Sequence, residues 1–297
     1  MAYEHLSEKA RAALDMDDNT RVKKMRSPSW IGYPRARRIM DILEENLTCP
    51  KHHRMPNLLI AGRSDNGKSM IARRFDALHP SFDNPGGGGI TMPVLMVQAP
   101  PVPEESRFYG NILDTLFAPY KPKETAARKQ SQVIALLRRL NVGMLIIDDI
   151  NNIVAGHVEK QRQLLNVIKF LSNELMIPIT ATGTKDALRA LQAEPQMASR
   201  FEVEPLPNWE MGDEYLRLMA SFERILPLKN PSDLAGQTLA AKILSMSDGT
   251  IGSLSKILVK ASAHAVRCGT ERIDRKVLEA INWIPPMEKR QNADRIL

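Results

Sequence analysis

Eight consecutive residues, Gly62-Arg63-Ser64-Asp65-Asn66-Gly67-Lys68-Ser69, have the pattern G-x-x-x-x-G-K-[S/T] of a phosphate-binding loop. Glycines let the backbone curl until successive N–H groups face a phosphate, and a helix N-terminus adds its partial positive charge. In this pattern Lys68 reaches the β and γ phosphates, and the hydroxyl of Ser69 holds Mg²⁺. The segment therefore predicts binding of ATP with Mg²⁺. A glycine-rich turn between core elements is the alternative.

The residues on either side of the loop fit a strand before it and a helix after it. Asn57 to Ala61 form an apolar run, and Met70 to Phe75 have the composition of a helix. A strand–loop–helix context is what the pattern requires. We expect Met70 to lie next to the bound nucleotide.

A second segment, Gly143 to Asp149, is an apolar run that ends in two carboxylates. Its apolar part predicts a strand of a parallel sheet, buried on both faces. An acid at the carboxyl end of such a strand lies beside the phosphate loop of a neighbouring strand, where Asp148 can hold Mg²⁺. Asp149 is placed to polarise the attacking water. The alternative is that the pair caps the following segment, 150–153.

Composition sets the class of protein and favours an anionic partner. The chain has 297 residues, a net charge of +7 and a pI near 9.4. Its two cysteines provide no disulfide framework and suit a reducing cytoplasm. No apolar run reaches the roughly 20 residues of a membrane span, and the N-terminus has no signal-peptide core. These features predict a cytoplasmic protein without a membrane partner.

The order of elements predicts an α/β fold, with a five-stranded parallel sheet followed by a small helical domain. After strand five the pattern is helical only, and this change predicts four parts: 1–27, a basic extension; 28–208, the nucleotide-binding domain; 209–283, a helical lid; and 284–297, a tail. The strand candidates are 57–61, 93–98, 143–147, 177–182 and 201–205, and the late helices are 210–225, 234–247, 251–268 and 274–282.

Seven further segments around the predicted nucleotide site carry a family pattern: Trp30–Ala36, Arg54–Ile60, Asn173–Leu175, Ala181–Thr184, Ser199–Glu202, Leu206–Trp209 and Leu226–Leu228. They resemble the motifs of TniB, the ATP-binding transposition protein of mercury-resistance-type transposons, and the resemblance covers roughly residues 25–282. TniB is similar to TnsC, the AAA+ regulator of CRISPR-associated transposons.

The resemblance implies an AAA+ ATPase that forms rings or helical filaments on double-stranded DNA, in a sequence-independent way, when ATP is bound. It implies recruitment of a transposase and placement by a target selector of the TniQ type, with or without a CRISPR effector. We therefore expect the protein to act on DNA in the bacterial cytoplasm.

The resemblance also assigns roles to single residues. Thr184 takes the first-sensor position, with Thr182 as the second choice. Arg200 matches the arginine finger that reaches the ATP of the next subunit, and a surface salt bridge is the alternative for this residue. Ile31 and Tyr33 lie where AAA+ proteins form the wall on the adenine side of the nucleotide. Packing in the core before the first helix is an equally good interpretation of both residues.

DNA contacts are expected between strand two and Asp148, because this segment lines the filament interior in TnsC-like proteins. Its basic residues can follow phosphates without reading bases, or can form an ordinary solvated face. They are Lys121, Lys123, Arg128 and Lys129. The run Arg21 to Arg26 is a further candidate, for DNA or for a protein partner.

Two positions depart from the AAA+ pattern: Asp149 stands where glutamate is usual, and Gly252 stands where many AAA+ proteins have the second-sensor arginine, with Lys256 one turn further on. Aspartate is one methylene shorter, so we expect slow hydrolysis that Asp149→Glu would raise. Two other functions share these features: a helicase loader or replication initiator, and a scaffold that polymerises with nucleotide but without DNA.

Overall fold

The computed structural model describes residues 3–85, 87–151 and 158–285. Residues 286–297 of the predicted tail lie outside these ranges, as do residues 152–157, which follow shortly after Asp149. The chain divides into two compact units, Arg35–Leu206 and the described parts of Met1–Pro34 with Pro207–Leu297. The four-part division expected from the sequence stays a prediction.

The strands are β1 (Asn57–Gly62), β2 (Phe82–Asp83), β3 (Ile90–Thr91), β4 (Val94–Gln98), β5 (Met144–Asp148), β6 (Ile179–Gly183) and β7 (Phe201–Leu206). The helices of the α/β unit are α3 (Pro34–Thr48), α4 (Lys68–Leu78), α5 (Glu105–Thr115), α6 (Ala126–Arg139), α7 (Val158–Leu175), α8 (Lys185–Ala193) and α9 (Pro195–Ala198). The helices of the other unit are α1 (Glu8–Arg11), α2 (Asp18–Met25), α10 (Asp213–Ile225), α11 (Gln237–Ser247), α12 (Ile251–Arg267) and α13 (Arg275–Ala280).

The main sheet has five strands in the order β4-β5-β6-β1-β7, and all of its neighbouring pairs are parallel. β5 and β6 are buried along their whole length, because helices cover both faces of a parallel sheet. The predicted α/β fold with five parallel strands is confirmed, and each strand lies within two residues of its predicted start.

The strand order corrects one expectation about the site. β5, which carries Asp148, was expected to neighbour the strand of the phosphate loop. Instead β6 lies between β5 and β1. The carboxyl end of β6 therefore lies between the phosphate loop and Asp148, so residues at this end of β6 can contact both.

A two-stranded antiparallel hairpin, β2–β3, precedes the second strand of the main sheet and was missed. Each of its strands has only two residues, too few to show an alternating pattern. The glycine-rich residues 86–89 lie between the two strands in the sequence, and Gly86 is outside the described residues.

The helical unit contains a buried ion pair. Arg21 on α2 is 1% exposed, and its Nη1 lies 3.1 Å from Glu271 Oε2 while its Nη2 lies 2.5 Å from Oε1. Arg21 was expected to belong to an exposed run for docking DNA or a partner. That expectation is wrong for Arg21, because its guanidinium faces α2's own unit, whereas Lys23, Lys24 and Arg26 are exposed.

Within the described residues, no helix is long and apolar enough to cross a membrane.

Candidate nucleotide site

The predicted phosphate loop begins at the last residue of β1, where only glycine fits. A Cβ on Gly62 would lie 2.7 Å from the carbonyl oxygen of Leu206 on the neighbouring strand β7. Further along the loop the buried side chain of Asn66 donates a 2.7 Å hydrogen bond to the same carbonyl. The end of β7 therefore holds the loop from one side.

The loop ends at Gly67, which has a φ of 85° and precedes the first residue of α4. This left-handed conformation suits glycine because it has no Cβ. Glycine also brings no side chain to cap the helix, so the first N–H groups of α4 face outward as an anion site. Arg63, Ser64, Asp65 and Met70 are exposed around this helix start.

Lys68 is buried at the head of α4. Its Nζ donates to the carbonyl oxygens of Gly62, at 3.0 Å, and Arg63, at 2.8 Å, and so bridges the base of the loop. Burial lowers the pKa of Lys68 below its ordinary value, and the carboxylates of Asp149, Asp148 and Asp65 oppose that shift. An anion that met this ammonium would relieve the cost of burying its charge.

Two hydroxyls converge on one oxygen of Asp148, which is 3% exposed at the end of β5. Ser69 Oγ donates to Asp148 Oδ1 at 2.7 Å, and Thr182 Oγ1 donates to the same atom at 2.5 Å. A carboxylate and a hydroxyl are the oxygen ligands that Mg²⁺ prefers. The structure thus joins the loop residue, the β5 carboxylate and a β6 hydroxyl in one cluster.

Asp149 lies beside this cluster, with a φ of 57°, a conformation that aspartate tolerates better than most residues. Its N–H donates to Thr182 Oγ1 at 2.9 Å, and its carboxylate accepts a hydrogen bond from Asn151 Nδ2. Asn151 Oδ1 in turn accepts from the N–H and the hydroxyl of Thr184, at 2.7 and 2.8 Å.

These bonds distinguish the two threonines. Thr182, the second choice for the first sensor, contacts Asp148 directly, whereas Thr184 reaches Asp149 through Asn151. Sequence reasoning missed Asn151, although a polar residue two positions after Asp149 was a signal for it. The sensor assignment itself stays a prediction.

Arg200 lies at the amino-terminal ends of two neighbouring strands, whereas the phosphate loop lies at their carboxyl ends. It precedes β7, whose first residue pairs with Asn57 at the start of β1, while the loop follows the end of β1. The two ends of β1 are six residues apart, which corresponds to about 20 Å along the strand. Within the chain, Arg200 Nη1 donates to Asn173 Oδ1 at 2.7 Å. Over this distance along β1 the Arg200 side chain does not reach the phosphate loop of its own chain.

Ile31 and Tyr33 belong to the helical unit. The ring of Tyr33 is buried and packs edge-on against Trp209 in the same unit, with centroids 5.1 Å apart. This contact gives Tyr33 a packing role of its own. Contact of Tyr33 or Ile31 with a base stays a prediction.

The four basic residues expected to meet DNA do not share one environment. Lys121, Lys123 and Arg128 are exposed, but Lys129 on α6 is 4% exposed. Lys129 Nζ donates to Ser106 Oγ at 3.1 Å and lies 4.7 Å from the centre of the Tyr120 ring. Its ammonium faces the protein rather than solvent, so in this structure a phosphate has no access to it.

A comparison with known families identifies the chain. The profile of the family described as Bacterial TniB protein matches residues 21–211, which is more than half of the sequence. The chain belongs to the TniB family. The resemblance drawn from the separate motifs is thereby confirmed, and the matched range includes the loop, Asp148, Asp149 and Arg200.

Solved structures show which fold this TniB-family chain has. It matches the ORC2 protein of Aeropyrum pernix, in ADPNP and ADP complexes, at 15% identity and a TM-score of 0.58, over 88% of this chain and 71% of that one. It matches the ORC1 protein of the same organism, in complex with DNA, at 17% identity and a TM-score of 0.55, over 91% and 68%.

A third match is the Walker-type ATPase PABY2304 of Pyrococcus abyssi, at 13% identity and a TM-score of 0.52, over 88% of this chain and 75% of that one. At such identities the likeness concerns the fold, which is that of AAA+ ATPases. No curated protein sequence matches the chain.

Proposed function

We propose that the chain is an ATPase that assembles on double-stranded DNA and controls where a transposase acts. The observation that carries the ATPase part is the convergence of Ser69 and Thr182 on Asp148, at the helix start that Lys68 bridges. Membership of the TniB family supports the part in transposition. The net charge of +7 supports an anionic partner.

The residues of the site fit a magnesium nucleotide. Bound Mg²⁺–ATP would supply the phosphoryl group and the charge that the site is built to neutralise. Lys68 and the first N–H groups of α4 would hold the phosphates, and Ser69 and Asp148 would hold the metal. Asp149 would accept a proton from water, and Thr182 fixes the backbone at Asp149 as it does so.

Arg200 would complete the site of a neighbouring copy, since the phosphate loop of its own chain lies at the opposite end of the strands. An arginine supplied by a second subunit ties nucleotide binding to assembly, because two chains then hold the same phosphate. ATP would thus favour a ring or filament on DNA, and hydrolysis would weaken it. A TniQ-type selector would position this assembly at the target site, and the assembly would recruit the transposase there.

Helicase loading or replication initiation is the second candidate, because the matched solved structures include ORC proteins, one of them in complex with DNA. Stimulation of strand transfer by the cognate transposase would favour our proposal. Loading of a replicative helicase would favour the second candidate.

The test of assembly is electron microscopy of the full chain with duplex DNA and a non-hydrolysable ATP analogue. We expect arrays on DNA that Lys68→Ala and Arg200→Ala both abolish. Arg189→Ala, which changes an exposed arginine of α8, is the matched control and should assemble normally. Arrays that form without DNA would instead support a polymerising scaffold.

Mixing the two inactive variants tests whether Arg200 acts between copies. In a mixed assembly, some interfaces combine the intact Lys68 of one variant with the intact Arg200 of the other. We expect ATPase activity to return on mixing. If both variants coat DNA as well as the parent protein does, the proposal is wrong.

A further inference from the structure

Phe117 has the most exposed large apolar side chain in the described part of the protein. It is 95% exposed, and the next in rank, Val158, is 60% exposed. Single exposed apolar residues are common on proteins, but a phenylalanine that contacts almost nothing of its own chain is not. Its exposure needs a reason.

The backbone at Phe117 is unfavourable as well. Phe117 follows the end of α5 with a φ of 52°, its N–H donates to Asp114 at 3.0 Å, and the next N–H donates to Leu113 at 2.9 Å. These bonds define a Schellman helix end, whose left-handed position usually holds glycine. A bulky residue there is strained. Folding thus gains nothing from the ring and would favour glycine.

The segment that displays Phe117 is held in place. We call residues 117–123 the 117–123 loop. Gln132 on α6 donates to Pro119 O at 3.0 Å, and Tyr120 OH donates to Asp114 Oδ2 at 3.1 Å. Buried Lys129 adds a 3.4 Å bond to Pro122 O. The ring is therefore presented on a loop that is fixed at three points.

The charges that the 117–123 loop turns outward are positive. Lys121 and Lys123 are exposed, and neither forms an ion pair with a carboxylate among the described residues. The acids nearby are engaged, since Asp114 accepts from Tyr120 and Glu124 lies 3.6 Å from Arg128. An apolar ring beside exposed ammonium groups that form no ion pair in this part of the structure fits a partner with a phosphate backbone and exposed ring faces or grooves.

We propose that the Phe117 ring makes an apolar contact in a groove of double-stranded DNA, next to Lys121 and Lys123 of the same loop, which the sequence already predicts to meet phosphates. The proposal rests on the function proposed above and adds to it a contact that does not depend on charge. Apolar side chains that enter a DNA groove act as wedges between base steps, while the flanking cations hold the backbone.

The two kinds of contact respond differently to salt, and this difference is the test. Binding of the full chain to a labelled duplex, with a non-hydrolysable ATP analogue, is followed by fluorescence anisotropy across a range of KCl. We expect Phe117→Ala to weaken binding about tenfold with the slope of log Kd against log salt unchanged. The double variant Lys121→Ala/Lys123→Ala should weaken binding and reduce that slope by about two.

Two further variants keep the result interpretable. Phe117→Gly removes the ring and relieves the backbone, so it should lose the same affinity while its thermal midpoint stays equal or rises. Phe82→Ala changes a second exposed phenylalanine, 51% exposed on the β2–β3 hairpin, and should bind DNA like the parent.

Parental affinity in Phe117→Ala would overturn the inference and leave the proposed function intact. Loss of self-association by Phe117→Ala in the absence of DNA would place the ring between copies and would also overturn it. A parent protein that binds no duplex would overturn the proposed function and this inference together.

Discussion

Asn151 holds Asp149 through a hydrogen bond from its side-chain Nδ2 to the Asp149 carboxylate. The same side chain binds Thr184 through its oxygen, so it is fixed at both ends. Asp149 is the carboxylate that we expect to polarise water. Its bond to Asn151 therefore competes with the role that hydrolysis requires.

We expect Asn151→Ala to raise kcat for ATP hydrolysis several-fold, because the carboxylate is released toward the water. Displacement by about 1 Å changes such rates by up to roughly 100-fold. Nucleotide affinity should not change, so steady-state phosphate release should show an effect on kcat alone. A lower kcat would mean that Asn151 positions Asp149 for the reaction rather than restraining it.

Asp149→Glu should also raise kcat, because one more methylene extends the carboxylate beyond Asn151. The left-handed backbone at this position makes the longer side chain cost about 1 kcal/mol of stability. Phosphate release and thermal unfolding measure the two effects. Asp149→Asn is the control and should remove hydrolysis while nucleotide still binds; a glutamate variant no faster than the parent would contradict the explanation.

Ser69→Ala should raise the Mg²⁺ concentration needed for nucleotide binding about tenfold, because the hydroxyl that lies 2.7 Å from Asp148 is lost as a ligand. A magnesium titration of nucleotide binding measures this shift. Ser64→Ala changes an exposed serine of the same loop and should keep the parental magnesium requirement. Equal requirements in both variants would remove Ser69 from the metal site.

Nucleotide affinity should fall as pH rises through the lowered pKa of Lys68, which lies below the ordinary 10.5. The phosphates favour the protonated amine, so binding raises its pKa and takes up protons at alkaline pH. Calorimetry in two buffers of different ionisation enthalpy measures the uptake. Lys68→Arg keeps its charge at these pH values, and a parental pH profile in that variant would exclude Lys68 as the titrating group.

Arg21→Ala should destabilise the helical unit by about 3 kcal/mol, because Glu271 would be left partly buried without its cation. Urea unfolding measures the loss. Lys23→Ala, an exposed neighbour on α2, should cost almost nothing. If both variants unfold like the parent, the buried pair contributes no stability.

The sequence by itself determined the five strands of the main sheet, their alternation with helices, and the class of site. Alternation of apolar strands with helices predicted the five-stranded parallel sheet, and the loop pattern with its basic and hydroxyl residues predicted Lys68 and Ser69. These signals are local, because a strand buried on both faces is apolar along its length and a phosphate loop needs fixed spacing. The motifs of the TniB family could be recognised for the same reason, because each is a short segment of consecutive residues.

Only the tertiary structure decided which side chains meet. The insertion of β6 between β1 and β5 places Thr182, rather than Thr184, on Asp148. Burial of Arg21 and Lys129 was hidden, because a basic residue has the same identity in a solvated run as beneath a packed loop. Strand order and burial depend on contacts between residues far apart in the chain, and spacing along one segment carries no record of them.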